Sequence, residues 1–174
     1  MGKFPPYDGA FALGHYAGTL RHAIHLLKYD QKPALAEPLG HLLATFLQED
    51  KTLQSFSFDA VVPVPLHSFR RRARGFNQAE RLAQVIAKEC AIPLDAKNLL
   101  RIRATRAQAS LGGVSRRGNL EGAFALRNPH AFAGKSLLLL DDVLTTMSTV
   151  SACARILKNG GAKQVIILGL ARGG

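Results

Sequence analysis

The sequence predicts an α/β protein with a mainly parallel sheet flanked by helices. Three observations carry this expectation. The second half of the chain alternates strand-like and helix-like segments. Its main strand-like segments, DAVVPVP at 59–65, KSLLLLDD at 135–142 and QVIILGL at 164–170, are apolar almost without alternation. Strands covered by helices on both faces read that way, because neither face meets water. The length, 174 residues with 47% of them apolar, suits one domain and is enough to bury a core without disulfide or metal staples.

Taken in order, residues 8–16 (DGAFALGHY) alternate loosely and read as an early strand. Residues 17–28 place Leu20, Ile24 and Leu27 at helical spacing, the mark of an amphipathic helix. A turn at 29–33 precedes a second helix over 34–48, whose first half holds Pro38 and Gly40 and is the less regular for it. This strand-and-helix region, 8–50, is expected to pack on a core spanning 59–172. The core opens with the buried strand at 59–65, closed by prolines. Residues 76–91 then carry Leu82, Val85, Ile86 and Glu89 in helical phase, and a short strand falls near Leu99–Ile102. Residues 104–119, rich in Arg, Gln, Ser and Gly without apolar periodicity, read as a mobile loop. After the strand at 135–142, a helix over Ser148–Asn159 stops at Gly160 and Gly161, a C-terminal capping signal. The strand at 164–170 completes the pattern.

Charge and cysteine usage narrow the possible roles. Lys and Arg number 23 against 12 Asp and Glu, a net charge of +11. Such a surface suits polyanions: phosphorylated small molecules, nucleic acid or anionic lipid. No apolar run reaches the roughly 20 residues of a membrane-spanning helix, and the first residues lead into no secretory apolar core. Cys90 and Cys153 are far apart and lack metal-ligand spacing. His22 and His25 share a helix without an evident third ligand, so an ordinary helical role is expected for both. The composition is that of a soluble, cytoplasmic protein.

Ligands of parallel α/β sheets bind beyond the carboxyl ends of the strands. Those ends carry Pro63–His67, then Asp141 and Asp142, with Thr145–Thr149 just after. Leu137–Val150 (LLLLDDVLTTMSTV) buries a strand on four leucines, ends it in two acids, and opens a helix with a run of hydroxyls. A helix N-terminus offers unpaired N–H groups and partial positive charge to a phosphate. Carboxylates accept hydrogen bonds from a vicinal diol. The combination suits a ribose 5-phosphate, although each half of it also occurs as a plain N-cap on a buried turn.

This segment resembles the phosphoribosyl diphosphate (PRPP) loop of type I phosphoribosyltransferases, whose pattern is an apolar run, Asp-Asp and Thr-Thr-Gly-x-Thr. Asp59–Glu80, with VVPVPLHSFRRRARGFNQAE, is similar to the signature of the ComF family, competence-associated homologues of those enzymes. RGFNQAE at 74–80 is its most specific piece, and Gln108 with RRGNLEGAF at 116–124 resembles the family's middle segment. The resemblance runs from Tyr7 to Arg172 and implies a type I phosphoribosyltransferase-like fold, a single domain over 1–174, with a mobile hood loop at about 103–119. Many members of that family carry a Cys-rich zinc module ahead of this domain; residues 1–174 are expected to hold none, which fits either a short member or a chain from which that module is missing.

The resemblance further implies residue roles. Asp141 and Asp142 would hold the ribose hydroxyls, and Thr145, Thr146, Met147, Ser148 and Thr149 the 5-phosphate. Pro65, Leu66 and His67, with Arg71 and Arg74, would meet the pyrophosphate, while Arg103, Gln108, Arg116 and Arg117 belong to the hood. Met147 stands where the family pattern has Gly, a residue that takes positive φ without strain. Either this weakens the cradle, or Met147 has ordinary backbone angles and turns its side chain away. The implied cofactor is Mg²⁺ carried by PRPP, and the implied chemistry is transfer of phosphoribosyl to a nitrogen nucleophile. The implied cellular role is natural competence and DNA uptake, with single-stranded DNA or competence-machinery proteins as further partners. Two other classes share these features: a non-catalytic DNA-handling adaptor, and a regulator that senses PRPP.

Overall fold

The computed structural model describes residues 5–29, 32–67, 75–103, 120 and 122–173. Its strands are β1 (Gly9–His15), β2 (Ala60–Pro63), β3 (Leu99–Arg101), β4 (Phe124–Leu126), β5 (Ser136–Leu144) and β6 (Gln164–Arg172). Its α-helices are α1 (Gly18–Tyr29), α2 (Ala36–Glu49), α3 (Gln78–Glu89) and α4 (Ser148–Asn159). Four strands form one sheet in the order β1-β6-β5-β2, all parallel. The far edge of β2 is partly covered: Val61 N–H donates to Pro93 O (2.8 Å) and Asp95 N–H to Val61 O (2.9 Å).

The continuous apolar runs follow from burial on both faces. Leu138, Leu140, Ile166 and Leu168 enter a core with α1, α2 and α3. Leu137, Leu139, Val165 and Ile167 enter a second core with α4 and the β3–β4 pair. All eight are fully buried, so every position on these stretches must be apolar. At the amino edge two aspartates close the strands: Asp8 accepts from Val165 N–H (2.7 Å) and Asp59 from Ser136 N–H (2.8 Å).

The expected elements form, with differences that have local causes. Pro38 does not disturb α2, because it is the third residue of the helix, where an N–H has no intrahelical partner to lose. Gly40 is interior and is there for packing. A Cβ on it would lie 2.6 Å from Val85 Cβ, so the glycine lets α2 and α3 approach closely. The strand at Leu99–Arg101 lies outside the main sheet and pairs antiparallel with β4. Periodicity could not show β4, since three residues hold no period. The largest correction concerns β5. It does not end at the acids, as the expected span 135–142 had it, but continues past Asp141 and Asp142 to Leu144, which pairs with Arg172.

The helix α1 crosses the carboxyl edge of the sheet. It begins beside the end of β6, where Tyr16 N–H donates to Arg172 O (2.9 Å). Ile24 and Leu27 are fully buried in the first core, and the last turn reaches β5 through Lys28.

Candidate functional site

The carboxyl edge gathers the residues that the sequence singles out on β2, β5 and α4. Leaving β2, Val64 N–H donates to Leu140 O (2.8 Å), so pairing with β5 persists one step beyond the strand. The turn Pro65–His67 follows, half-buried. Asn77 ties this exit to α3: its Nδ2 donates to Val64 O (3.0 Å), and its Oδ1 accepts from Ala79 N–H (3.1 Å), capping the helix. The start of α3 is thereby held against the end of β2.

Asp141 and Asp142 differ in environment despite being neighbours. Successive side chains on a strand point to opposite faces. Asp142 lies toward α1, where its Oδ1 is 3.0 Å from Lys28 Nζ; the side chains are 10% and 18% exposed. Asp141 continues the face of Leu137 and Leu139, toward β3 and α4. Its Oδ1 accepts from Asp142 N–H (2.9 Å). Burial, and then the charge of Asp142, raise the Asp141 pKa to about 7, against the smaller opposing pull of that N–H, Lys28 and Arg101. Burial pushes the Cys153 thiol well up as well, and the charge of Asp141 adds to it. Cys153 is therefore a packing residue of α4, as expected.

The strand alternation slips once just past the acids. Val143 packs against the first core and Leu144 is buried in the second. Gly169 makes room for this: a Cβ there would lie 2.7 Å from Leu144 Cγ.

Thr145–Thr149 leads into α4, and no side chain among the described residues caps that helix. Thr146 Oγ1 donates to Ser148 Oγ (3.1 Å), and Ser148 Oγ donates weakly to Thr146 O (3.5 Å). These hydroxyls thus bond within the loop, and the first-turn N–H groups of α4 remain to receive an anion. Met147 occupies the left-handed region, φ 58° and ψ 0°, while its side chain packs against the second core. Of the two conditions for tolerating Met here, the side chain meets one and the backbone fails the other. A non-Gly residue in this region costs about 1–2 kcal/mol. Met147→Gly should therefore raise stability by about 1 kcal/mol, or roughly 2–4 °C in melting temperature. It should also leave the loop at least as good a phosphate cradle. A lower midpoint would mean that the Met packing outweighs the backbone strain.

Arg103 is exposed just past β3. Arg71, Arg74, Gln108, Arg116 and Arg117 lie outside the described residues, as do Arg70, Arg72 and Arg106. Sequence reading missed Lys28. One signal was present: Lys28 follows Ile24 at i+4, so a charge sits in the phase of the buried stripe. Among the described residues no group of three His, Cys, Asp or Glu side chains is placed to hold a metal ion, and no helix is long and apolar enough to cross a membrane.

A parallel sheet with two acids and an open helix N-terminus at its carboxyl edge is the arrangement expected of a phosphoribosyltransferase-like fold, and the chain's likeness to known proteins shows that class. The family model described as phosphoribosyl transferase domain matches residues 25–174. The chain is 32% identical over 170 residues to "Competence protein F" of Haemophilus influenzae, covering 97% of this chain and 74% of that protein. It is 33% identical over 171 residues to "DNA utilization protein YhgH" of Escherichia coli O157:H7, covering 98% and 74%. The chain belongs to the ComF family of phosphoribosyltransferase-domain proteins. The fold is shared with glutamine phosphoribosylpyrophosphate amidotransferase from B. subtilis, solved with ADP and GMP, at a TM-score of 0.56 and 16% identity. That match covers 83% of this chain and 30% of the larger one.

Proposed function

We propose that this protein binds PRPP at the carboxyl edge, as its Mg²⁺ complex. The observation that carries the reading is the uncapped N-terminus of α4 directly after Asp141 and Asp142. The 5-phosphate would sit on the first-turn N–H groups and hydroxyls of Thr145–Thr149. The acids would accept from the ribose hydroxyls, and the Pro65–His67 turn would face the pyrophosphate. Arg71 and Arg74 follow that turn in sequence; Arg forks match phosphate oxygens. Arg103, Gln108, Arg116 and Arg117 would surround the reacting carbon.

If turnover occurs, the bond from C1 of the ribose to the pyrophosphate oxygen breaks and a bond from C1 to nitrogen forms. The leaving group departs with the electron pair, and the nucleophile gives up its proton. Positive charge develops at C1 and negative charge on the leaving group, which the metal ion brought with PRPP and the arginines would stabilise. The names of the relatives support a role in natural competence and DNA utilisation. A second reading, binding without turnover by a PRPP sensor or a DNA-handling adaptor, is favoured by the left-handed Met147.

Melting with and without PRPP and Mg²⁺ tests the reading. Ligand at 100 times its Kd adds about 2.7 kcal/mol, so the midpoint should rise by roughly 5–11 °C. Ribose 5-phosphate and pyrophosphate should each give a smaller rise. No shift at millimolar PRPP would sink the proposal. A shift without pyrophosphate release in the presence of candidate acceptor bases would select the sensor reading. Single-stranded DNA binding that weakens steeply with salt, in a chain unresponsive to PRPP, would select the adaptor.

A further inference from the structure

Gln78 is the first residue of α3 and is 2% exposed. Among the described residues its Nε2 has no hydrogen-bond partner. A buried amide donor left unpaired is costly, and a native protein rarely keeps one without a use. Gln78 lies on the same buried stripe as Leu82 and Ile86, one and two turns further on, so it faces the sheet. Because α3 starts at the carboxyl edge and runs back along the sheet, Gln78 is the member of that stripe nearest the edge. Its neighbour Asn77 is bonded to Val64 O at the exit of β2, which leads straight into Pro65–His67. The first-turn N–H groups of α3 point to the same end.

We propose that Gln78 is a specificity-determining residue for the diphosphate half of the ligand. Its Nε2 donates to an anionic oxygen held between the Pro65–His67 turn and the N-terminus of α3. An amide suits this place because it supplies donors without charge inside the core. The donor there is already stripped of water, so only the arriving oxygen has to be desolvated, and the charge-assisted bond it gains is of the stronger kind. The inference rests on the reading of this edge as a PRPP site and adds which side chain recognises pyrophosphate rather than ribose 5-phosphate.

The test compares wild type with Gln78→Met, which keeps the volume and removes the donor. Titrations use pyrophosphate with Mg²⁺ in one arm and ribose 5-phosphate in the other. The expected result is a loss of pyrophosphate affinity of roughly tenfold to a hundredfold, with ribose 5-phosphate affinity unchanged and the unliganded melting temperature equal or higher. Equal losses for both ligands, or none for pyrophosphate, would overturn the assignment. Should Gln78→Met fold poorly, the side-chain amide resonance of Gln78 in the wild type decides. It should move on adding pyrophosphate and stay put with ribose 5-phosphate; an immobile resonance rejects the role. If wild type binds no PRPP at all, the site reading falls and this inference with it. If PRPP binds and Gln78→Met behaves as wild type, only the role of Gln78 is lost.

Discussion

Replacing Asp141 by Asn should make the unliganded protein more stable at pH 8 while abolishing its response to PRPP. The carboxyl titrates near 7 in the folded protein because burial and the charge of Asp142 disfavour its ionised form, whereas in the unfolded chain it titrates near 4. Below about pH 4 both states carry the proton, and the stability tied to this group is fully present. It is lost progressively as pH rises through about 7, since the folded state must then hold a carboxylate it disfavours. About three pH units of separation corresponds to about 4 kcal/mol. Coupling to Asp142 spreads that over the pair, and a gain of about 2–4 kcal/mol is expected for Asp141→Asn at pH 8. The melting temperature should rise by roughly 4–16 °C, with the difference from wild type shrinking toward pH 4. A difference independent of pH would show that Asp141 is not held above its ordinary range. Retained PRPP binding would remove it from the ribose site. In wild type, an acceptor role also predicts weaker PRPP binding as pH falls below 7, when the carboxyl regains its proton.

The opposite outcome is expected for its neighbour. Asp142→Asn leaves the Lys28 ammonium, 18% exposed, without its direct partner, and the weaker attraction of Asp141 offsets this only in part. Breaking one side of a largely buried pair costs about 3–5 kcal/mol, and some relief comes from Lys28 bending toward water. A loss of about 2–4 kcal/mol, or roughly 4–16 °C, is expected at neutral pH. Lys28→Met should be destabilising too, and the two changes together should cost less than their sum, because the double variant leaves no orphaned charge. Thermal or urea unfolding of the four proteins measures this directly. Additive effects would mean that the 3.0 Å contact carries no coupling. The two acids thus oppose one another in stability although both are assigned to the same ligand. Asp141 is tolerated at a cost, while Asp142 is secured from α1.

Much of this molecule is legible in the order of its residues. The parallel sheet follows from the unbroken apolar runs at Val61–Val64, Leu137–Leu140 and Val165–Leu168, because a strand buried on both faces leaves no position for a polar side chain. The place of α4, its closing glycines and the hydroxyl-rich turn before it are local facts, visible within a window of about ten residues. The candidate ligand edge then follows from the topology of such sheets.

Tertiary structure decided what those residues are able to do. Asp141 and Asp142 look alike in sequence, yet β5 runs on past them and turns one toward Lys28 and the other toward β3 and α4. The left-handed backbone of Met147, the pairing of Leu99–Arg101 with Phe124–Leu126, and the unpartnered amide of Gln78 likewise come from contacts between segments distant in the chain. Hydrophobic pattern is periodic along the chain and can be read from it. Ionisation and hydrogen-bond satisfaction depend on which groups meet in space after water has been excluded, and only the packed fold sets that.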